Sequence, residues 1–576
     1  MNKSYIFHSI IFCTFFILAA GITYPLIFNL GSLATGLHDE LHIAWIHQSV
    51  LHNILTNPLH LFEGTMYYPY QHTLAYSDLF LTTSILTAPF VLWIGQPIAA
   101  NNIVIISSLT LLGYGIYVLT MYLTKQTMVS VISGMLVMFS PAILDKVVHI
   151  QLLACYFVVF SFYFLFRYFD TGKHRYVLYG TLCFILQTYN SVMPGYFIVL
   201  GYGIIFFTYF ITNRMLFLAR VNKKVFITIF AGITMLLPIA IPYISVSREF
   251  SYVRDIRDTM HFALQPEDLW YPNQATRLEP ILKQLSVKSP YGEEKVGYLG
   301  AVFSILTIST CIFFFKQKKR SPAFISLFVT GCSGLLLALG PFLHLNRVTV
   351  HTPFLIPLPY LPAYYLLPGF QAFRSSGRFE VLFILCIAVC VGIFLSYLIK
   401  RTKRATTRYS IYAVLIFGIF AEFRLPFSYV SVPQTDAFPQ IYASLRQLPL
   451  DSVVIEMPIY VWNMQPYVFA ENMRGYVSTA HFRRMVNGAS GFSPDPWQQM
   501  VVKYLYTFPA DETIRDMKQK GIHYILVHAD EYDMLAKDQF LPNKQINGSF
   551  VLRELEKNTH VVLLKRVEKD YLFQIQ

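Results

Sequence analysis

Long apolar tracts alternate with short charged segments over the first 425 residues. Tracts without Asp, Glu, Lys or Arg cover residues 4–38, 79–124, 126–144, 147–166, 176–213, 225–247, 296–315, 321–346 and 381–399. A membrane-spanning helix needs about 20 mainly apolar residues, so the two longest later tracts each hold two spans. Breaks are predicted near Gly95 and Pro97 and near Pro194 and Gly195, and a last span fits 405–424. The pattern predicts an all-α polytopic membrane protein.

Basic residues concentrate in the short loops between these tracts. Four such loops are Arg167–Arg175, Arg214–Lys224, Lys316–Arg320 and Lys400–Arg404. By the positive-inside rule these loops face the cytoplasm. If 126–144 were a complete span, the first basic loop would lie on the wrong face. We therefore expect 126–144 to be re-entrant or non-spanning, which gives about eleven transmembrane helices.

The same topology places three longer loops outside, at 28–78, 247–295 and 347–378. Most carboxylates of the membrane domain, residues 1–425, then gather on that outer face. The first apolar tract could also be a cleaved signal peptide, but its apolar stretch runs on to Leu26 and exceeds the usual length. All seven cysteines lie in apolar tracts, so the sequence predicts no disulfide framework.

The last part of the chain has a different composition. Residues 426–576 hold 16 acidic and 15 basic residues, so the formal net charge of +13 comes from the membrane loops and does not indicate a nucleic-acid partner. Short buried strands are predicted at Ser452–Glu456, His523–His528 and His560–Leu564, and a helix at Asp511–Lys520. We expect a soluble extracytoplasmic α/β domain over 426–576, in which Asn547 and Gly548 form a turn.

Two adjacent acids follow the first span, flanked by histidines. Asp39 and Glu40 stand between His38 and His42 at the start of the outer loop 28–78, whose aromatic and amphipathic content favours helices along the membrane surface. Carboxylates and imidazoles can act as a general base or hold a divalent metal such as Mg²⁺ or Mn²⁺. Asp39 could equally be a helix N-cap. No cofactor is certain from the spacing.

Several short motifs point to one superfamily. They are Asn57–Phe62 with Tyr67–Pro69, His149–Gln151, Pro368–Phe379 and Val486–Phe492. Together with the acidic pair in a long first outer loop, they resemble the GT-C superfamily of membrane glycosyltransferases, which includes protein mannosyltransferases and lipid A aminoarabinose transferases. Within it, they are most similar to a group of large bacterial multi-pass membrane proteins.

The resemblance implies an inverting sugar transfer on the outer face of the bacterial inner membrane. The donor is a polyprenyl-phosphate-linked sugar, and the acceptor is an envelope glycan, lipid or protein. Asp39 matches the catalytic base best, followed by Glu40, with Asp78 or Asp145 as an assisting acid. The pair is Asp-Glu rather than Asp-x-Asp, which leaves metal dependence open.

Two arginines are candidates for the donor phosphate. Arg374 and Arg378 are four residues apart, so a helix through them would place both on one face. Their guanidinium groups could bind the phosphate in bidentate fashion, or instead contact lipid headgroups or Glu380. The alternatives for the phosphate are Arg248, Arg254 and Arg257. His149 and Gln151 are candidate supporting residues at the start of a span, where His149 could also be hydrated by water.

Two other functional classes remain open on the sequence. A lipid or glycan transporter, or flippase, predicts charged residues in the middle of its spans, whereas here the span centres carry almost no charge. A non-catalytic envelope scaffold predicts that substitutions at Asp39 are tolerated.

Overall fold

A computed structural model describes residues 3–285, 296–345, 348–350, 355–538, 540–541 and 546–576. Parts of the predicted outer loops 247–295 and 347–378 therefore lie outside the described residues. The described chain is mostly helical. From the N-terminus, its α-helices in the first half are α1 Lys3–Ile22, α2 Asp39–Thr56, α3 Leu81–Ile94, α4 Ala99–Thr124, α5 Thr127–Met138, α6 Pro141–Leu144, α7 Ile150–Leu153, α8 Tyr156–Thr171, α9 Arg175–Asn190, α10 Val192–Thr212, α11 Arg214–Arg220, α12 Lys223–Thr234, α13 Leu237–Glu249, α14 Ile256–His261 and α15 Glu279–Leu285.

The second half contains the remaining helices and most of the strands. Its helices are α16 Ala301–Lys316, α17 Pro322–Ala338, α18 Tyr360–Leu366, α19 Glu380–Arg401, α20 Ala405–Glu422, α21 Gln440–Gln447, α22 Phe469–Ser478, α23 Asp495–Thr507, α24 Asp511–Gln519, α25 Ala529–Lys537 and α26 Gly548–Lys557. The strands of the described chain are β1 Leu33–Ala34, β2 His344–Leu345, β3 Val348–Thr349, β4 Val430–Ser431, β5 Val453–Met457, β6 Arg484–Met485, β7 Tyr524–His528, β8 Val561–Val567 and β9 Asp570–Ile575.

Several helices have the length and composition of membrane spans. Among the described residues, five qualify alone, at Tyr5–Ile22, Ala99–Thr124, Ile150–Thr171, Val192–Thr212 and Ser376–Arg401. Two bent pairs, α5 with Pro141–Val147 and α12 with α13, raise the number to seven if each pair is one span, and each pair bends by 49°. Helices α3, α16 and α17 are apolar but shorter. The chain is thus a multi-pass membrane protein by length and composition, and the count of eleven spans stays a prediction.

The sequence correctly places the breaks between paired spans. Helix α3 ends at Ile94 and α4 begins at Ala99, as the Gly95 and Pro97 signals predict. Helix α9 ends at Asn190 and α10 begins at Val192. The bend after α5 is of the kind that a re-entrant segment or a broken span has.

The chain divides into two compact units. We call residues 1–28, 103–240 and 252–428 the membrane unit, and residues 29–102, 241–251 and 429–576 the C-terminal unit. The predicted division into domains 1–425 and 426–576 stays a prediction.

Small residues bring helices close together inside the membrane unit. Helix α19 is buried over most of its length and packs against α17 and α5. A Cβ atom at Gly334 of α17 would lie 3.0 Å from the Phe379 carbonyl oxygen, and one at Gly392 of α19 would lie 2.6 Å from Ser133 Oγ of α5. Such contacts are how membrane helices gain packing energy without a hydrophobic driving force.

The C-terminal unit contains a five-stranded sheet in the order β6-β5-β7-β9-β8. Strand β5 pairs in parallel with β6 and β7, while β9 is antiparallel to β7 and β8. The predicted strands near 452–456, 523–528 and 560–564 are confirmed as β5, β7 and β8, and the predicted helix near 511–520 is α24. Only β8 departs from the expected burial, because most of its residues are exposed. The assignment of 426–576 as a separate soluble α/β domain stays a prediction.

Residues of the predicted outer loop 28–78 contribute to the core of this unit. Leu41 and Ala44 of α2 are buried in one apolar cluster with Tyr476 and Val477 of α22. Burying α2 side chains against this cluster removes apolar surface from water, which is the main favourable term in packing.

The predicted turn at Asn547 is wrong. Asn547 is the N-cap of α26, and its side-chain oxygen accepts a hydrogen bond from the Phe550 amide at 2.8 Å. An Asn side chain satisfies an amide at a helix start as readily as it favours a turn, so the dipeptide alone does not separate the two.

Candidate functional site

The acidic pair lies at the first turn of α2 in the C-terminal unit. Asp39 is the first residue of the helix and is exposed, and His38 occupies the N-cap position without a side-chain capping bond. Asp39 is therefore not the N-cap that one reading of the sequence suggests. A carboxylate in the first helical turn is nevertheless stabilised by the positive end of the helix dipole.

Glu40, its neighbour, is enclosed by the preceding loop. Its side chain is 4% exposed and accepts hydrogen bonds from Thr35 Oγ1 at 3.1 Å and from the His38 amide at 3.3 Å. The loop also passes so close that a Cβ atom at Gly36 would lie 2.7 Å from Glu40 Oε1. Burial raises the pKa of Glu40, although these hydrogen bonds oppose the shift. The two acids thus differ: Asp39 is accessible, and Glu40 is held in place.

Two histidines of α2 are buried behind the acids. His42 stacks on Trp45 with ring centroids 5.5 Å apart, and in the described structure neither of its ring nitrogens has a hydrogen-bonding partner. Burial lowers the pKa of His42 to about 4, against the opposing charge of Asp39. His47 is bonded to Asn101 and Thr83, and burial lowers its pKa to about 4 as well. Both imidazoles are therefore neutral near pH 7.

Two of the motifs behind the family resemblance pack together in this unit. The Tyr67 amide donates to the Asn487 carbonyl at 3.1 Å, and Tyr67 Oη lies 3.0 Å from Ser493 Oγ. A Cβ atom at Gly488 would lie 2.7 Å from the Tyr67 ring, so this close approach requires glycine. Asp78 follows the buried turn Thr73–Tyr76 and is half-buried.

Asp145, His149 and Gln151 belong to the membrane unit. Asp145 forms an ion pair with Lys146 at 3.2 Å, and the Lys146 side chain is only 4% exposed. Glu380, at the start of α19, is buried and lies within electrostatic range of both residues and of Asp268. Lys146, Asp268 and Glu380 were not predicted from the sequence as members of this cluster. A single acid at a helix start does not indicate which residues far away in the chain will lie near it.

His149 and Gln151 lie at the start of α7, as expected for residues at a helix boundary. His149 occupies the N-cap position and is half-buried. Gln151 Oε1 is buried and has no hydrogen-bonding partner within the described chain.

The prediction that Arg374 and Arg378 share one helical face is wrong. Arg374 lies in a bend, Arg378 lies in a 3-10 helix at Ser376–Phe379, and α19 begins only at Glu380. The physical reason is that Ser375 Oγ and the Gly377 amide both donate to the Phe262 carbonyl at 3.3 Å, which holds the segment against 259–264 instead of in a helix.

Both arginines are half-buried in this segment of the membrane unit. The Arg374 guanidinium lies 4.4 Å from the centroid of the Phe262 ring, a cation–π distance. The two cations thus remain in one short segment, although not on one helix.

The described residues contain no group of three or more His, Cys, Asp or Glu side chains placed to hold a metal ion. The acidic pair with its histidines does not form such a set, because Glu40 and His42 are buried apart from the accessible Asp39. Use of Mg²⁺ or Mn²⁺ stays a prediction.

The C-terminal unit contains a buried network of charged residues that was not predicted from the sequence. Arg474 of α22 is 4% exposed and pairs with Glu471 at 2.6 Å, Glu531 at 2.7 Å and Glu456 at 3.4 Å. His528 bridges two carboxylates, with Nε2 3.0 Å from Glu456 and Nδ1 2.8 Å from Asp570. These residues come from separate strands and helices, so no local spacing could reveal the network.

The network shifts the pKa values of its members in opposite directions. Burial would lower the pKa of His528, but the hydrogen bonds to Asp570 and Glu456 raise it to about 10. Burial would raise the pKa of Glu456, yet its contacts with His528 and Arg474 lower it below the usual value. Burial raises the pKa of Glu471 to about 7. The network is thus ionised mainly through Arg474, His528 and Glu456.

Known structures resemble this fold. Two structures of the arabinofuranosyltransferase AftD from Mycobacteria are similar over 100% of this chain, with TM-scores of 0.51 and 0.53 and identities of 11% and 12%. This chain spans 40% and 42% of those AftD chains. ArnT from Cupriavidus metallidurans bound to undecaprenyl phosphate gives a TM-score of 0.45 at 10% identity, covering 99% of this chain and 97% of ArnT.

The likeness to AftD concerns the fold, since the identities are low. The fold therefore agrees with the one that the GT-C resemblance implies. No curated protein matches the sequence. The family model described as a domain of unknown function, DUF6311, matches residues 15–420. Because that match covers more than half of the sequence, the chain belongs to the DUF6311 family.

Proposed function

We propose that this protein is a GT-C type glycosyltransferase that transfers a sugar from a polyprenyl-phosphate donor to an envelope acceptor with inversion. The fold shared with the arabinofuranosyltransferase AftD supports the reaction class. The proposal depends most on one observation, which is that the two acids of α2 differ in exposure. Asp39 is exposed at the helix start, while Glu40 is buried and fully engaged by its loop.

In this proposal Asp39 is the general base that removes the acceptor hydroxyl proton as the oxygen attacks the anomeric carbon. An exposed carboxylate at a helix start can reach an acceptor hydroxyl and accept its proton. Glu40 positions the loop before α2, and Asp78 and Asp145 are the alternative assisting acids. His42 is buried, so its imidazole is less accessible to the acceptor than Asp39 is.

Arg374 and Arg378 bind the donor phosphate in this proposal. The leaving group is a polyprenyl phosphate, and its developing charge needs a cation for stabilisation. Two half-buried arginines in one segment before α19 suit that task, because a guanidinium binds phosphate oxygens through two parallel hydrogen bonds. Arg248, Arg254 and Arg257 are the alternatives.

Replacing Asp39 tests the proposal. The amide of Asp39→Asn has the same size but cannot accept a proton, so transfer should fall about 100-fold to 10,000-fold while the protein stays folded. Glu63→Gln is a matched control, because it removes an acid of the same loop that pairs with His72 at 3.1 Å. Near-normal transfer by Asp39→Asn would remove Asp39 as base and leave Glu40, Asp78 or Asp145.

The proposed topology has about eleven spans and places the region after 425 outside the bacterial inner membrane. The four basic loops support this orientation. A reporter that is active only outside the cytoplasm should give a signal when fused after residue 576 and none after 320. The reverse pattern would contradict the orientation.

A further inference from the structure

A cavity of about 230 Å³ lies in the membrane unit, at the ends of four helices. Its walls come from the last turns of α4, α16 and α19 and from the start of α17. Helix α19 has 22 residues, so it is about 33 Å long, close to the thickness of the hydrocarbon core. The cavity is therefore at the opposite end of α19 from Arg374 and Arg378.

Three basic residues line this cavity. They are Lys319 and Arg320, which precede α17, and Lys400 near the end of α19. Arg320 Nη2 donates to the Phe315 carbonyl at 3.2 Å, and its guanidinium lies 4.4 Å from the Phe314 ring centroid. Its Nε is buried and has no hydrogen-bonding partner among the described residues. The side chain is thus fixed by neutral groups that leave its charge uncompensated.

The residues that line the cavity include no acid. Residues 99–124, 301–338 and 381–401, which hold every residue of the cavity wall, contain neither Asp nor Glu. Ser321 is the N-cap of α17 and accepts from the Phe324 amide at 3.2 Å, so the positive end of a 17-residue helix also faces this region. Among the described residues that line the cavity, three cations and a helix start are accompanied by no acid, which favours an anionic ligand.

Apolar side chains complete the wall. Phe313, Phe324 and Ile393 line the same cavity as the cations. Basic cavities between membrane helices bind the headgroups of anionic lipids, whose phosphate meets the cations while their chains contact apolar surface. We propose that this cavity binds the phosphate headgroup of an anionic membrane lipid, at the membrane face opposite the proposed donor site.

Native mass spectrometry of the full-length protein tests this site. The protein in detergent is titrated separately with phosphatidylglycerol, phosphatidylcholine and inorganic phosphate. We expect one phosphatidylglycerol to bind in preference to phosphatidylcholine, and inorganic phosphate not to displace it. If inorganic phosphate displaces it at equal concentration, the ligand is a free phosphate and the lipid assignment is overturned.

Three variants separate a specific site from general charge attraction. The triple variant Lys319→Gln, Arg320→Gln and Lys400→Gln should lose phosphatidylglycerol affinity by roughly 100-fold, since each lipid-facing cation contributes about 1 kcal/mol. The control Lys318→Gln, Lys403→Gln and Arg404→Gln removes three exposed charges from the neighbouring loops and should bind normally. An equal loss in the control would overturn the site.

A charge-retaining variant distinguishes the loss of charge from a disruption of packing. Lys319→Arg, Arg320→Lys and Lys400→Arg together keep all three cations and should retain most of the binding. If this variant loses as much affinity as the glutamine variant, the residues act through packing and the phosphate role is overturned.

Discussion

The membrane unit and the C-terminal unit place their charges in opposite ways. In the C-terminal unit, Arg474 is buried among three carboxylates and His528 lies between two. In the membrane unit, the described residues that line the cavity near Lys400 include three cations and no acid. A buried charge with its counter-ions in place stabilises a fold, whereas a charge without them is available to a ligand.

The same contrast separates the two acids of α2. Glu40 is buried and hydrogen-bonded within its loop, while Asp39 is exposed. The proposed functional groups are the exposed Asp39, the two half-buried arginines before α19 and the basic cavity. The network around Arg474 is then structural, and this distinction can be tested.

The largest expected effect on stability is at Arg474. The variant Arg474→Met removes the cation shared by Glu456, Glu471 and Glu531 and leaves only His528 beside Glu456, which should cost about 3 to 5 kcal/mol. Native-state hydrogen exchange of β5 and β7 in the full-length protein measures the loss. Lys503→Met breaks an exposed pair with Asp516 and should cost about 1 kcal/mol or less. Equal costs for both variants would contradict a structural network.

A smaller effect is expected at Arg378. An ammonium group cannot reproduce the planar two-pronged contact with a phosphate, so Arg378→Lys should weaken donor use although the charge is kept. Losing one charge-assisted hydrogen bond costs roughly 1.5 to 3 kcal/mol, or about 10-fold to 150-fold in apparent affinity. Donor titrations of Arg378→Lys and Arg378→Ala measure it. Near-normal affinity in both variants would leave Arg378 as a headgroup contact.

A further effect on stability is a pH dependence of the C-terminal unit. The folded pKa of His528, about 10, is above the usual 6.5, so folding takes up a proton between these values. The stabilisation is complete below about pH 6.5 and is lost as the pH rises through 10. Hydrogen exchange of β5 and β7 at pH 6 and pH 9 measures the free energy of unfolding. This free energy should be lower at pH 9 than at pH 6, and the difference should be absent in His528→Gln. The same decrease in the variant would assign it to another group.

Sequence patterns predicted the structural features that are determined by residues close together in the chain. The span breaks near Gly95 and Pro194 and the strands β5 and β7 follow from local apolar runs and from the residues that interrupt them. The network around Arg474 could not be predicted, because its members meet only after the sheet and α22 have packed. For Arg374, the local pattern gave a wrong prediction. Its spacing from Arg378 fits a helix, but hydrogen bonds to the Phe262 carbonyl hold the segment in another conformation.

The sequence proposes candidate residues for the site but does not show which of them are exposed. Asp39 and Glu40 are adjacent, and only the structure separates an exposed acid from a buried one. The two acids differ in exposure because consecutive residues of a helix point in different directions.

The most direct measurement is sugar transfer by the purified full-length protein in liposomes that contain a polyprenyl-phosphate-linked sugar donor. Supplied with an envelope glycan acceptor, the protein should form a product whose anomeric configuration, measured by NMR, is opposite to that of the donor. A product that keeps the donor configuration would contradict the inverting role of Asp39. Movement of the intact donor across the bilayer without any transfer, over a panel of pentose and hexose donors with glycan, lipid and protein acceptors, would contradict the enzyme and favour a flippase.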